Sequence, residues 1–219
     1  MDRAPLIPAS EVREYVIATS AVFWTTKGPF GALSNMAPGY PVMVNGVAIP
    51  SIEALYQSHR FPDYPEFQAE VIQEGNAWLA KRKAKHLDAH TRPDWFRVRV
   101  RIMRWCLRLK LGHHPQRFGE VLLATGDDPI VERSSRDAFW GARSQGGGTL
   151  QGVNALGRLL MELREELISD GASKFHVLET PDIPGFKFLG EDIGDIECVP
   201  GMNPRSEEVP WVIDPSQDA

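Results

Sequence analysis

Two carboxylates and two tryptophans stand where their chemistry could be used. Glu53 falls two residues after Ser51, a residue suited to cap a helix, so its carboxylate lies in the first helical turn. The helix dipole there favours the ionised form, which makes Glu53 a better base or cation stabiliser than an acid. Asp137 stands just before the pair Phe139-Trp140 in a turn-like stretch, where it could hold hydroxyl groups, activate water or donate a proton. Trp95 and Trp140 offer flat, amphipathic walls for a sugar or a heterocycle. Each has a plainer reading: a carboxylate at a helix start or turn is often a cap or an exposed charge, and a tryptophan is often core.

Amides and cations could complete a site. Asn35, Gln57 and Asn154 could recognise polar edges of a ligand, and Arg60 could contact a phosphate. The glycine-rich stretch 141–157 enters the start of a helix, a geometry that can present backbone N–H groups to an anion, with a flexible surface loop as the alternative. Arg97, Arg101, Arg104 and Arg108 recur at helical spacing. They form either a solvated face or a phosphate-attracting one, since that run contains few acids to pair with them. His113-His114 reads as a surface turn rather than a metal site, because adjacent side chains diverge and no cysteine or carboxylate cluster completes a coordination shell. The chain lacks a Gly-x-x-x-x-Gly-Lys-Ser/Thr loop, a His-Glu-x-x-His pair, a Cys-x-x-Cys and a Gly-x-Ser-x-Gly elbow. Phosphate-loop hydrolysis, zinc proteolysis and α/β-hydrolase chemistry therefore lose support.

The elements that must position these residues can be read from periodicity. Residues 15–24 are rich in β-branched and aromatic side chains and read as a strand, while 41–49 is strand-like and broken by Asn45-Gly46, a hairpin signal. After Pro50 the pattern turns helical, with helices expected over 51–61, 65–74 and 76–87, each punctuated by proline or glycine. The strongest periodicity covers 95–111, where Val98, Ile102, Trp105 and Leu109 form one apolar row and Val100, Met103, Leu107 and Leu111 a second. Trp105 is thereby assigned to the core. Helices over 115–124 and 153–170 follow, the latter with a leucine stripe that reads as core. The expected fold is α+β, a predominantly helical single domain with small β-strands over residues 1–172. An acidic, proline-rich extension, 173–219, should pack on it through Phe175, Phe186, Phe188 and Trp211 with a short hairpin, before a loose end from Pro215.

Composition bounds the function classes. A chain of 219 residues with 42% apolar and 24% charged residues can bury one sizeable core and has the make-up of an ordinary folded protein. No run approaches the roughly 20 apolar residues of a membrane span, and residues 1–15 lack the apolar stretch of a signal peptide, so no membrane partner and a cytoplasmic location are expected. Cys106 and Cys198 are the only cysteines, and Cys106 lies inside a helical apolar pattern, as a buried free thiol would. The net charge of −5 argues against non-specific nucleic-acid binding, but the charge is polarised. Between Lys81 and Arg117 there are twelve Lys or Arg against two acids, and from Glu162 onward fourteen acids against four bases. Such asymmetry can build a local field for an anionic ligand.

One ordered set of short motifs is specific where its members are weak. Phe23-Trp24, Gly31-x-x-Ser34-Asn35, Ser51-x-Glu53 with Gln57 and Arg60-Phe61, Ala80-Lys81-Arg82, Trp95, Asp137-Ala138-Phe139-Trp140-Gly141 and Gly152-x-Asn154-x-Leu156-Gly157 resemble the NADAR (YbiA-like) family over residues 22–166. The resemblance implies a YbiA-like fold and an N-glycosidase that hydrolyses the C1′–N bond between ribose and a guanine-derived base. It implies Glu53, Asp137 and Trp95 as catalytic, and Trp140, Asn35, Ser34, Gly31, Gln57, Arg60, Gly152 and Asn154 as substrate-binding, with no metal or other cofactor. Two carboxylates are the least such a reaction needs, since the sugar develops oxocarbenium character and a water must be positioned.

Members of the family act either on phosphoribosyl pyrimidine intermediates of riboflavin biosynthesis or on ADP-ribose attached to guanine in nucleic acid. The long glycine-rich loop, the acidic tail and the basic patch favour the second. The expected activity is then antitoxin-like removal of ADP-ribose from guanine in DNA, with ADP-ribosylated DNA and a cognate ADP-ribosyltransferase toxin as partners. The riboflavin intermediates are the close alternative. A non-catalytic ADP-ribose-binding module is disfavoured because a reader of an anionic ligand gains little from buried carboxylates. A regulatory nucleic-acid binder built on the arginine row is a further alternative. Relative to shorter members, the stretch between Gly141 and Gly152 is extended, Ala142-Arg143 replaces a glycine-rich continuation, and Lys85 stands where arginine is usual.

Overall fold

The computed structural model describes Ile7, Pro8 and residues 10–201. Among the described residues six α-helices carry the fold: Ile52–Ser58 (α1), Pro65–Gln73 (α2), Ala77–His86 (α3), Trp95–His113 (α4), Pro115–Leu123 (α5) and Ala155–Asp170 (α6). Their starts follow local chemistry. Ser51 Oγ accepts the Ala54 N–H at 3.2 Å and the Asn76 side chain accepts the Trp78 N–H at 2.8 Å, while Pro65 and Pro115 open α2 and α5, where a missing N–H costs nothing. Gly171, with φ of 76°, ends α6. α4 buries both of its apolar rows because it is wrapped by α1, α5 and α6, so Trp105 lies in the core as expected. The result is the expected α+β domain, helical with small strands.

The strands are short. Residues 15–24 do not form one strand but two, Arg13–Val16 (β1) and Ala21–Phe23 (β2), separated by a 3-10 turn over Ile17–Thr19. The hydroxyl of Ser20 donates to the Val16 carbonyl at 2.8 Å and closes that turn, which sends the two halves to different sheets. β2 runs parallel to Ile130–Glu132 (β5), pairing Phe23 with Glu132. β1 pairs antiparallel with Thr149–Gly152 (β7), which in turn pairs with Arg143–Gly146 (β6). Val42–Val44 (β3) and Val47–Ile49 (β4) form the expected hairpin, with Asn45 and Gly46 both at positive φ.

Two expectations about the long helix are corrected. His113 and His114 are buried rather than in a surface turn. His113 Nε2 accepts the Met43 N–H at 3.3 Å and His114 Nε2 lies 2.6 Å from the Pro41 carbonyl, so the pair docks the β3–β4 hairpin onto the end of α4. Burial pushes both imidazoles towards the neutral form. Half of the arginine row has acids after all, supplied by α6. Arg104 makes a forked pair with Glu162 at 2.6 and 3.1 Å, and Arg108 one with Glu166 at 2.6 and 3.2 Å. Arg101 donates to the Asp182 carbonyl at 2.6 Å, and Arg97 is exposed.

Beyond α6 the chain folds back on the same core. Val177–Leu178 (β8) pairs with Ile196–Glu197 (β11), and Lys187–Phe188 (β9) with Glu191–Asp192 (β10). Phe175, Phe186 and Phe188 are buried, and the last two stack on His59 with ring centroids 4.7 and 6.4 Å away. Cys106 and Cys198 are buried free thiols. Trp211 and the expected loose end from Pro215 lie outside the described residues. Among the described residues no helix is long and apolar enough to cross a membrane.

Candidate active site

A cleft of about 350 Å³ opens between α1, α3, the start of α4 and the loops that follow Leu33 and β5. This volume suits a small ligand or one end of a larger one. Glu53, Gln57 and Arg60 face it from α1, Lys81 from α3, and Trp95, Arg99 and Met103 from α4. Ser34, Asn35, Asp137 and Trp140 reach it from the loops. Helical spacing explains the grouping, since positions three and four apart share one face of α1 and one of α4.

Glu53 is only 5% exposed. Its Oε1 accepts the Gln57 side-chain amide at 3.0 Å and lies 3.6 Å from Lys81 Nζ, which leaves Oε2 to the cleft. The Glu53 carboxylate is the main reason the Lys81 ammonium is held above its usual range, so that cation persists at neutral pH. The Glu53 N–H donates to the Asn35 carbonyl at 3.2 Å, tying the loop to the helix start. That loop is fixed from beneath by the fully buried Lys110, whose ammonium donates to the carbonyls of Ala32 at 2.6 Å and Ser34 at 3.1 Å. Asn35 contacts Met103 Sδ at 3.1 Å, and its buried amide oxygen has no partner among the described residues. It is an unsatisfied acceptor in the wall of the cleft.

Asp137 organises the opposite wall. Its Oδ1 accepts the N–H groups of Phe139 at 2.9 Å and Trp140 at 2.8 Å, so the aspartate closes the turn that presents Trp140. Its second oxygen takes no side-chain hydrogen bond among the described residues. Tyr56 stands between Trp95 and Trp140, with ring centroids at 5.0 and 5.6 Å, making a continuous aromatic wall. Arg99 stacks on Phe139 at 3.7 Å and lies near Trp140 at 5.8 Å; among the described residues no acid forms an ion pair with it. Arg60 lies 5.6 Å over Trp95 and bonds to Asp88 and, at 2.9 Å, to Thr91, so its guanidinium is partly occupied.

Three of the expected binding residues lie elsewhere. Asn154 is fully buried, and its amide holds the Ile130 carbonyl at 2.8 Å and the Glu132 N–H at 3.1 Å. Gly152 and Gly31 are places of close backbone approach: a Cβ on Gly152 would meet the Gly141 carbonyl at 2.4 Å, and one on Gly31 the Thr26 carbonyl at 2.4 Å. The N–H groups of Asn154, Ala155 and Leu156 donate to the carbonyls of Gly141, Phe139 and Trp140. The start of α6 therefore spends these groups on the Asp137–Trp140 turn, not on an anion. Tyr56, Arg99 and Glu132 were not anticipated. Arg99 had a signal, lying four residues from both Trp95 and Met103.

The NADAR domain model matches residues 22–168. A riboflavin biosynthesis protein of Vibrio vulnificus is 36% identical over 157 residues, covering 72% of this chain and 41% of that protein. The N-glycosidase YbiA of Escherichia coli is 32% identical over 161 residues, covering 74% of this chain and 96% of YbiA. The solution structure of Escherichia coli YbiA superimposes with a TM-score of 0.59 at 31% identity, over 75% of this chain and 94% of that one. With the match spanning most of its length and the same fold beneath it, the chain belongs to the NADAR domain family.

Proposed function

We propose that the protein is an N-glycosidase that hydrolyses the C1′–N bond between a phosphorylated ribose and a guanine-derived nitrogen. The observation that carries this reading is the meeting of Glu53 and Asp137 in one cleft walled by Trp95, Tyr56 and Trp140. As the bond to nitrogen lengthens, positive charge grows on the sugar ring. A carboxylate in a partly desolvated cleft stabilises that charge more strongly than water does. Glu53, with Oε2 open to the cleft, receives the proton of the attacking water or faces the cation. Asp137 orients the ribose hydroxyls through its second oxygen. The aromatic wall stacks the leaving heterocycle, and Asn35 reads its polar edge. The N-glycosidase names of relatives covered almost end to end support the same bond type.

For the leaving group, the compact phosphoribosyl pyrimidine intermediates are the better supported substrate. Two features that favoured a nucleic-acid strand stand away from the cleft: the triple glycine sits in the exposed β6–β7 turn, and Arg104 and Arg108 of the arginine row are paired with α6. Two relatives named as riboflavin biosynthesis proteins agree with this choice. Arg99, stacked on rings and without an ion-paired acid among the described residues, is the candidate for the phosphate. ADP-ribosylated guanine in DNA is the second reading, favoured by Phe96, which is 77% exposed at the cleft and could stack a neighbouring base. Incubation of the protein with each substrate in turn, with chromatography of the products, tests both. Release of the base and a free ribose phosphate is expected from the first, and cleavage of neither substrate overturns the reading.

A further inference from the structure

A third carboxylate faces the cleft, carried on a backbone held at both its N–H and its carbonyl. Glu132 ends β5. Its N–H is held by Asn154 Oδ1 at 3.1 Å, and its carbonyl accepts the Ala142 N–H at 2.8 Å. A Cβ on Gly141 would come within 2.5 Å of that carbonyl, so Gly141 is needed for the backbones to pack. The side chain, by contrast, makes no hydrogen bond among the described residues and lines the cleft with Glu53 and Asp137.

Charge balance gives this carboxyl a distinct state. Among the described residues, the cations facing the cleft are Lys81 from α3, Arg60 from α1 and Arg99 from α4. Arg60 is occupied by Asp88 outside the acid cluster. That leaves Lys81 and Arg99 against Glu53, Asp137 and Glu132. Lys81 is paired with Glu53. Like charges drawn together in a low dielectric cannot all ionise cheaply, and the member lacking a hydrogen-bond donor or a paired cation keeps its proton.

We propose that Glu132 is the general acid of the reaction, giving its carboxyl proton to the leaving nitrogen while Glu53 works as the anion. This rests on the N-glycosidase reading above. In the step, the electron pair of the C1′–N bond moves to nitrogen, which takes the proton of Glu132. The oxygen of water bonds to C1′, and the proton it loses passes to Glu53. Exchange with solvent then returns the proton from Glu53 and restores that of Glu132, so the sum is substrate plus water giving a ribose hydroxyl and a free amine. Burial, together with the charges of Glu53 and Asp137, pushes the Glu132 carboxyl up to about 7 against the opposing pull of Lys81, which suits an acid working near neutrality.

The test compares two leaving groups. One is the phosphoribosyl substrate, whose nitrogen needs a proton to depart. The other is an N7-methylated guanine riboside 5′-phosphate, whose base carries its positive charge beforehand. Wild-type kcat on the first should fall as the pH rises through about 7. Glu132→Gln should lose that basic limb and about 100- to 10,000-fold in kcat on the first substrate, yet stay within about tenfold of wild type on the second. Glu132→Asp should retain the limb at reduced rate, and thermal melting of both variants separates chemistry from folding. Equal losses on the two substrates, or an unchanged pH profile in Glu132→Gln, overturn the acid role. Failure of the wild type to cleave either substrate overturns the N-glycosidase reading itself.

Discussion

Replacing Asn154 with alanine should cost stability, not affinity. The side chain is fully buried, holds the Ile130 carbonyl and the Glu132 N–H, and sits at φ of 51°. Alanine leaves two buried polar groups unpartnered, at about 1–3 kcal/mol each. It must also adopt a left-handed conformation that asparagine tolerates, at about 1 kcal/mol more. The sum, about 3–7 kcal/mol, is a large share of the roughly 5–15 kcal/mol that holds a typical domain folded. Asn154→Gly should lose the same two bonds without the backbone strain and so fall about 1 kcal/mol short of alanine. Urea unfolding at pH 7 reads all three proteins. A midpoint for Asn154→Ala that matches the parent, combined with a raised KM, would refute the reasoning and return Asn154 to the substrate.

Other substitutions probe other parts. Glu53→Gln keeps the shape of the site but removes its anion, so kcat should fall by about 100-fold or more with thermal stability nearly unchanged; turnover above a tenth of wild type removes Glu53 from the mechanism. Gly157→Ala would place a methyl 2.1 Å from the Ile130 carbonyl and 2.5 Å from the Asn154 amide, and little folded protein should be recovered. His59 is buried and held neutral down to about pH 4, so the unfolded chain binds the extra proton first. Stability should therefore fall as pH drops from about 6.5 to 4, by up to about 3 kcal/mol, and His59→Phe should flatten that slope in urea titrations. Arg108→Ala, away from the cleft, should leave kcat and KM on the phosphoribosyl substrate within about twofold; a large rise in KM would reinstate the basic row as a substrate contact.

What could be read from sequence was local. Ser51 capping α1 and the Asn45-Gly46 hairpin depend on neighbours in the chain, and both formed as expected. Trp105 followed from the period of α4, and the family from an ordered set of motifs. The remainder needed distant partners. The acids that pair with Arg104 and Arg108 stand 58 residues away on α6, out of reach of any local pattern. His113 and His114 are polar by type, and only the docking of β3–β4 buries them. Glu132 lies in a strand of three residues, too short to show a period, and its neighbours come from α1, α3 and the loop beyond. An amide can recognise a base, which suggests a binding role for Asn154, but an asparagine tolerates positive φ as well, and here that conformation locks β5 to α6.

Hydrolysis in water enriched in heavy oxygen tests the central claim most directly. Attack at the anomeric carbon, with the leaving base protonated and the cation held by Glu53, places the solvent oxygen on the released ribose phosphate and none on the heterocycle. Mass spectra of the two products from the wild-type protein should show one heavy oxygen in the sugar and an unlabelled base, and Glu53→Gln should slow the appearance of both together. Label found in the base would mean that water attacked the heterocycle instead, and would contradict an N-glycosidase.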